Sequence, residues 1–583
     1  MFQPQHTQTF KDRKVFWLPY SCGTLWSYAN QFDHIRENFE LKYIFFKRDK
    51  PEDVMARIED PKVCGFSCYV WNENYCLTMA KEIKAKWPDC HIVFGGEQVT
   101  DSFKDYDFID SIIKYEGEEN FVTLLEHILE GTPVPESFPK KRIQQLDIPS
   151  PYATGVFDPL LEEYPDASWN MIFETNRGCP FSCTFCNWGS LTQSKIKNFD
   201  LDRVREDIEW IIGKPIGYLM LADANFGAFR QRDLEVAKIL REVSEKSELD
   251  AVNVQFAKNF NETIWEIAKE LGPLFRGLTV SVQSMHDKTL DAIKRRNMDM
   301  SNMQKIMKDS KVHGITTYSE LILGLPEETL ETWKEGFIKL IEAGQNDSID
   351  IWHAQLLENS ELAHPSSREK YGLKTIKVKD YMPLHGYNYW EDIEETIEIV
   401  NETNTMSKEE LIEAFMWAWM MINVHITGYS QNYSKNYEPG YRAFYDKLFH
   451  DIRTNKNNFL HEEHNKIERI ISHYLETGDI IDNKYRGHIV LQVNAEFFYV
   501  NRDEVYSMLE ELFDINDEVM ICVQRNFLYD GDVNYPLEID FENEKIIVDT
   551  KMENIEKFDF YALRRQQWLK NKIEIIKKDK LTL

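Results

Sequence analysis

Cysteine is scarce in this chain, nine of 583 residues. So few thiols in so long a polypeptide are no disulfide framework, and cysteines that cluster in a reducing compartment point to metal binding or catalysis. Positive charge is in deficit as well, with 68 lysines and arginines against 98 acidic residues and a net charge of −30. That balance repels a phosphate backbone, so nucleic acid is not expected as a partner. Long apolar runs are missing. The longest, AFMWAWMMI at 414–422, falls well short of the roughly 20 residues that cross a bilayer, so no membrane span is expected. The opening MFQPQHTQTFKDRKVFWLPY carries charges where a secretory signal needs an apolar core, and a cytoplasmic location is the expectation. The dinucleotide fingerprint G-x-G-x-x-G is also absent, which disfavours a nicotinamide or flavin dinucleotide.

What is present argues for compact folding. Hydrophobic residues make up 43% and aromatics 13%, too many for a disordered chain, and the length leaves room for several cores. Residues 13–130 alternate β-branched or aromatic runs (KVFWLPY, KYIFFKR, KVCGFSCYV, HIVFGGE, DSIIKYEGE) with stretches of helical spacing. Such alternation predicts a parallel, doubly wound sheet, with ligands at the carboxyl ends of its strands in loops 19–26, 67–73 and 95–100. Prolines at 133, 135, 139, 149, 151, 159 and 165 then mark a connecting arm. A second series follows: NMIFET (170–175), IGYLMLAD (216–223), AVNVQFA (251–257), LTVSVQS (278–284), TTYSELILG (316–324) and SIDIWHAQLL (348–357). Six strands predict a partial barrel whose chemistry lies at the carboxyl ends. Beyond residue 385 the acidic run and the segments HIVLQVNAEFFYVN and EVMICVQRNFLY, read as strands, predict an α+β domain. The expected boundaries are 1–140, 141–168 (linker), 169–385 and 386–583.

Three of the nine cysteines fall within RGCPFSCTFCNWGS (177–190), as Cys179, Cys183 and Cys186. Three thiolates at Cys-x-x-x-Cys-x-x-Cys spacing after the first barrel strand suit three irons of a four-iron cluster and leave one iron open. Structural zinc wants four ligands, and no further Cys or His lies between there and residue 200. Three unligated thiols are the remaining alternative. Cys64, Cys68, Cys76, Cys90 and Cys522 read as small buried hydrophobes.

ETNRGCPFSCTFCNWGS resembles the signature loop of the radical S-adenosylmethionine superfamily. The resemblance implies a [4Fe-4S] cluster on Cys179, Cys183 and Cys186 whose open iron is chelated by S-adenosylmethionine, and reductive cleavage to a 5′-deoxyadenosyl radical. It extends over about residues 165–365. Phe185 matches the aromatic of the motif. LADANFG, with Asp223 and Asn225, resembles the amino-group segment. SVQSMHDKTLDAIKRRN, with Gln283, Ser284 and Arg295, resembles the fourth-strand segment, and ELILGLPEET, with Gly324, the fifth. These residues are the expected S-adenosylmethionine contacts.

The front segment resembles the cobalamin-binding domain of the same superfamily through VCGFSCYVWN, HIVFGGEQVT and KYEGEENF. Ser67, Tyr69, Trp71, Gly95, Gly96, Glu97, Glu116 and Gly117 are the implied cobalamin contacts. Cobalamin domains often carry Asp-x-His-x-x-Gly after their first strand, where this chain has PYSCGTLW, so the resemblance implies cobalt without a histidine ligand, its lower face left to water or to a bulky neighbour for which Tyr69 and Trp71 are the candidates. The fold class implied is α/β: an N-terminal Rossmann-like cobalamin-binding domain, a central partial (β/α)6 TIM-type radical SAM barrel and a C-terminal α+β domain. The implied function is methylation of an unactivated carbon by way of the radical and methylcobalamin. The alternatives are a non-methylating rearrangement, ring contraction or cyclisation, and more remotely an inactive cobalamin-binding sensor. Partners would be a small-molecule or peptide substrate and an external flavodoxin- or ferredoxin-like electron donor. Gln255, Lys258 and His353 are substrate candidates near strand ends.

Overall fold

Phe2 explains the architecture of the front third. In the computed structural model, which describes all residues except 11–12, 189–194, 258–261, 276, 314, 380–392, 480, 482–496, 499–500, 526–536, 541–543, 549–572 and 578–583, seven strands precede residue 114. They are β1 (Phe2–Gln5), β2 (Gln8–Phe10), β3 (Arg13–Trp17), β4 (Phe45–Lys47), β5 (Val63–Ser67), β6 (His91–Gly95) and β7 (Ser111–Ile113). The Phe2 ring stacks on Phe45 at 4.6 Å and on Phe66 at 4.5 Å, and Phe66 stacks on Phe94 at 4.7 Å. This aromatic ladder crosses a parallel sheet ordered β4-β1-β5-β6-β7, in which FQPQ is an interior strand between β4 and β5. Cross-strand aromatic pairs of this kind stabilise a sheet, and here they outweigh Pro4, which an interior strand ordinarily excludes.

The sequence-based choice of KVFWLPY as the first strand of this sheet is therefore corrected. Its residues 13–17 form β3, which pairs with β8 (Ser168–Phe173) in the second sheet. Phe16 decides the matter, because its ring packs against Phe46, Tyr164 and Trp169 at 5.2–5.3 Å in the barrel core. The segment expected as the loop 19–26 lies in a helix, Tyr20–Ala29. A Cβ at Gly23 would stand 2.2 Å from the Phe157 ring, so glycine there lets the helix lie flush on the barrel.

The six expected barrel strands all form. After β8 and the short β9 (Asn176–Arg177) and β10 (Lys197–Asn198) come β11 (Ile216–Leu221), β12 (Ala251–Asn253), β13 (Leu278–Gln283), β14 (Thr317–Leu323) and β15 (Ile349–His353). They fall into two sheets, β12-β11-β8-β3-β2 and β13-β14-β15, parallel except for the β2-β3 hairpin. Along β14 the buried residues Thr317, Ser319, Leu321 and Leu323 alternate with less buried Tyr318, Glu320 and Ile322, the two-residue period that sends alternate side chains to opposite faces.

The proline-rich stretch is no free arm. Ile143, Ile148, Tyr152, Phe157 and Leu160 are buried in one cluster with Phe16, Trp169 and Phe173. The C-terminal region likewise shares a core with the second half of the barrel, since Trp333, Phe337 and Ile351 cluster with Ala414, Trp417 and Trp419. A hairpin of β16 (Lys374–Lys379) and β17 (Thr396–Glu402) leads into the helix Lys408–Met420, started by a Ser407/Glu410 capping box. EVMICVQR, read as a strand, is a helix at Glu518–Arg525. Short apolar runs are ambiguous between the two states, and Gln524 settles this one by accepting Asn432 N–H and donating to Gly428 C=O. Most of HIVLQVNAEFFYVN lies outside the described residues. An antiparallel sheet of β18 (Leu537–Asp540), β19 (Glu544–Val548) and β20 (Ile573–Lys577) completes the α+β content. Among the described residues no helix is long and apolar enough to cross a membrane.

Candidate functional site

The cysteine loop leaves the barrel at β9 and returns at β10, which pair antiparallel with Arg177 opposite Lys197. Cys179 and Cys183 are buried and Cys186 is half-buried. Thr184 N–H donates to Ile293 C=O at 3.1 Å, and Leu362 N–H donates to Thr184 C=O at 2.8 Å, so the loop is stitched to the carboxyl end of the barrel. Asn225 Nδ2 reaches Cys179 Sγ at 3.5 Å, and the Arg295 guanidinium hydrogen-bonds Cys183 and faces Cys186. Phe185 packs against the buried cluster that contains Leu290, Ile293 and Leu325.

Among the described residues, no three His, Cys, Asp or Glu side chains converge tightly enough to share one metal ion. Three thiolates on one loop suit a cluster, one iron per thiolate. Asn225 Oδ1, Thr184 Oγ1 and Asn187 Oδ1 are buried without a hydrogen-bond partner in this same region. Buried polar atoms ordinarily find one, and a polar cofactor seated against the cysteines would supply it.

Two of the expected cofactor contacts are also held by hydrogen bonds within the protein. Asp223 accepts Thr175 N–H and Asn176 N–H on Oδ1 and the Thr175 hydroxyl and Asn176 Nδ2 on Oδ2, fully buried behind the strand that enters the cysteine loop. Burial pushes its carboxyl up to about 7. Ser284 donates to Glu328 at 2.5 Å, and its carbonyl accepts from Asn297. Gln283 occupies a bulge of β13 with φ 65°, a left-handed conformation that non-glycine residues adopt at a cost and mainly at functional positions. Gly324, φ 92°, has only ordinary contacts around a built Cβ. Its backbone angle, not close approach, demands glycine.

Ser281 and Glu320 were missed from sequence. The Ser281 hydroxyl donates to Glu320, and Trp352, Asp350 and Arg295 surround the same carboxylate. Burial raises the Glu320 pKa. The bulge between Ser281 and Gln283 breaks the two-residue alternation of β13, so spacing from Gln283 gave no signal for Ser281.

At the carboxyl ends of β5 and β6 the structure gathers Ser67, Tyr69, Trp71, Gly95, Gly96 and Glu97. Tyr69 and Trp71 stack at 4.6 Å with 6° between planes, and the Tyr69 hydroxyl meets Ser21 at 2.6 Å and also bonds Ser67. Glu97 is solvent-exposed, yet protein hems it in enough for desolvation to raise its carboxyl, as at the mouth of a cleft. This exposed and crowded rim fits a large planar ligand. The chain itself requires glycine at 96, since a Cβ there would stand 2.4 Å from the Cys68 carbonyl. Glu116 accepts Ile143 N–H, and Gly117 lies against Leu25. His6 follows β1 and is half-buried, so the expectation of a histidine-free strand end rested on the wrong strand.

Three contacts join this rim to the rest. Arg177 lies between Glu118 at 2.7 Å and Glu174 at 2.8 Å, tying the helix Glu118–Glu130 to the cysteine loop. Buried Arg48 pairs with Glu395 at 2.5 Å and donates to the Trp71 carbonyl at 3.1 Å, while Glu395 also accepts Asn74 N–H and Tyr75 N–H. Asn359 Nδ2 donates to Glu97 C=O at 2.7 Å. Of the substrate candidates, Gln255 is half-buried and its backbone carbonyl accepts Phe226 N–H. His353 Nε2 meets the Val400 carbonyl at 2.5 Å, which ties it to β17. Lys258 lies outside the described residues.

A parallel partial barrel with a three-cysteine loop at its carboxyl end, roofed by a doubly wound sheet, defines a radical S-adenosylmethionine enzyme with a second cofactor domain. Residues 173–337 match the radical SAM superfamily. The chain is 33% identical over 463 residues to 2-(S-pantetheinyl)-carbapenam-3-carboxylate methyltransferase of Streptantibioticus cattleyicolor, covering 74% of this chain and 68% of that protein. It is 35% identical over 425 residues to the cobalamin-dependent radical SAM methyltransferase TokK of Streptomyces tokunonensis, covering 68% and 62%. The structure of TsrM from Kitasatospora setae, with cobalamin and a [4Fe-4S] cluster bound, shares the fold at TM-score 0.51 and 14% identity, over 81% of this chain and 99% of that one. The chain belongs to the cobalamin-dependent radical S-adenosylmethionine family, and with membership comes the cofactor set of [4Fe-4S] cluster, S-adenosylmethionine and cobalamin.

Proposed function

We propose that this protein methylates an unactivated carbon of a small molecule. What carries the reading is identity of 33% and 35% with two methyltransferases over most of the chain, together with residues here that suit both cofactors. Bound together, the cluster and S-adenosylmethionine supply hydrogen-atom abstraction, and cobalamin supplies the methyl group.

The chain's own residues do the rest. Cys179, Cys183 and Cys186 would each hold one iron. Asn225 and Arg295, beside those thiols, would orient the amino and carboxylate groups of S-adenosylmethionine, a charge-assisted pairing for the arginine. Ser281 and Glu320 present hydroxyl and carboxylate on the same inner face for sugar hydroxyls or substrate. Gln283, Ser284 and Gly324 shape the strand ends around that space, and Asp223 braces the loop. Ser67, Tyr69, Trp71 and Glu97 would hold cobalamin, with Gly95, Gly96, Glu116 and Gly117 setting the course of the backbone there. The Arg48–Glu395 and Arg177–Glu118 pairs would hold the two halves close, so that a reactive intermediate meets its substrate and little else. The first electron would come from a flavodoxin- or ferredoxin-like protein. Gln255, Lys258 and His353 are not assigned contact with substrate.

The curated relative acts on a pantetheinylated carbapenam carboxylate, by its name, and this class is the first to try. Anaerobically reconstituted protein, given methyl-deuterated S-adenosylmethionine, titanium(III) citrate and that carbapenam, should yield a product carrying one labelled methyl, together with S-adenosylhomocysteine and 5′-deoxyadenosine. Formation of 5′-deoxyadenosine with an unmethylated, rearranged product would instead support the cyclisation reading.

A further inference from the structure

The chain carries 30 excess negative charges, yet lysines and arginines gather where the cysteine loop leaves the barrel. Lys140 Nζ meets the Tyr115 hydroxyl at 3.1 Å and lies over its ring at 4.9 Å, and Arg142 lies over the same ring at 5.9 Å. Lys141 is bridged to the Tyr115 backbone. Lys197 Nζ donates to the Ile143 carbonyl, which clasps this segment against β10. Lys195 is exposed two residues before it, Lys140 is exposed, and Lys141, Arg142 and Lys197 are half-buried. Of the nearby acidic groups, Glu119 lies 3.5 Å from Lys141, Glu116 is engaged with Ile143 N–H and faces Lys197, Glu118 is paired with Arg177, and Asp147 is exposed along the chain. The patch keeps a positive excess.

Its position matters as much as its sign. Lys197 pairs across the hairpin with Arg177, two residues before Cys179. Paired strands and two residues of chain place the Lys197 backbone within roughly 12 Å of that cysteine. A partner that hands one electron to the cysteine site must approach about this closely, and over most of this acidic surface an acidic partner is repelled. We propose that Lys140, Lys141, Arg142, Lys195 and Lys197 form the docking surface for an acidic one-electron carrier protein. The step is a single electron transfer: the carrier is oxidised by one electron, and the oxidised cluster is reduced by one, with no bond made or broken. The proposal rests on the radical chemistry argued above.

The test compares wild type with Lys140→Glu/Lys141→Glu/Arg142→Glu and with Lys195→Glu, using a reduced acidic flavodoxin or ferredoxin and, separately, titanium(III) citrate. Cluster reduction is followed by electron paramagnetic resonance, and binding of the oxidised carrier by calorimetry. At low salt the triple variant should be reduced by the carrier at least about tenfold more slowly, the scale of electrostatic steering. It should also bind the carrier more weakly, while its reduction by titanium(III) citrate is unchanged. Added salt should slow the wild type toward the variant. Equal rates with the carrier, or equal loss with both reductants, would overturn the surface. Methylation driven by titanium(III) citrate is unaffected by that outcome, so a failed docking surface and a failed functional reading give different results.

Discussion

Asp223 shows how a single residue can be legible in chemistry while its protein partners are set only by the fold. An aspartate after the second barrel strand invites assignment to the cofactor, but four hydrogen bonds commit it to Thr175 and Asn176. Asp223→Asn sets an amide N–H against donors, and the expected cost is about 1–3 kcal/mol with reduced iron content after reconstitution. Its folded-state pKa, about 7, lies above the roughly 3.9 of an unfolded aspartate. The folded state therefore binds the extra proton between those values, and this group's contribution falls as pH rises from about 4 to 7. Thermal unfolding followed between about pH 5 and 8 should show that decline in wild type and lose it in Asp223→Asn. Gln283 invites the opposite expectation. With φ 65°, Gln283→Gly should relieve backbone strain of about 1 kcal/mol yet weaken S-adenosylmethionine binding, a split readable by unfolding and equilibrium dialysis. Strain offset by function leaves no mark in composition, and neither does the lost accessibility of Ser284.

Among the elements, the loop carrying Tyr69 and Trp71 depends on a partner more than 300 residues away in sequence. Glu395 covers the first N–H groups of the helix Glu73–Lys86 and pairs with Arg48, both side chains 1–2% exposed. A carboxylate at a helix N-terminus is favourable, and removing one member of a buried pair strands the other, typically at about 3–5 kcal/mol. Glu395→Gln and Arg48→Met are each expected to destabilise the protein and weaken cobalamin binding, while the double variant costs less than the sum. Denaturant titration with cobalamin absorbance checks all three. The aromatic ladder of Phe45, Phe2, Phe66 and Phe94 is a similar long-range device. It makes a strand of FQPQ, which propensity alone would pass over.

On the scale of the whole molecule, cores cross the expected boundaries. Trp333 donates its indole N–H to the Ala414 carbonyl at 3.0 Å, and the Lys408–Met420 helix packs in the cluster that fills the second half-barrel. A chain ending before Thr396 should therefore expose that cluster and be lost from the soluble fraction, even with the cysteine loop intact. The docking patch belongs to this scale too, because segments 140–142 and 195–197 become one surface only through the β9-β10 hairpin. By itself the amino-acid order determined what is local and chemical: the cysteine spacing that leaves an iron open, the six barrel strands, the turn glycines and the acidic balance. These follow from residue type and short-range periodicity. Tertiary structure decided which segment becomes an interior strand of the front sheet, which polar residues are committed to hydrogen bonds within the protein, and which distant charges meet. Each of those outcomes is set by competition among long-range contacts, Phe2 against Phe16 for a sheet and Glu395 against solvent for a helix end, and that competition is resolved only when the whole chain packs.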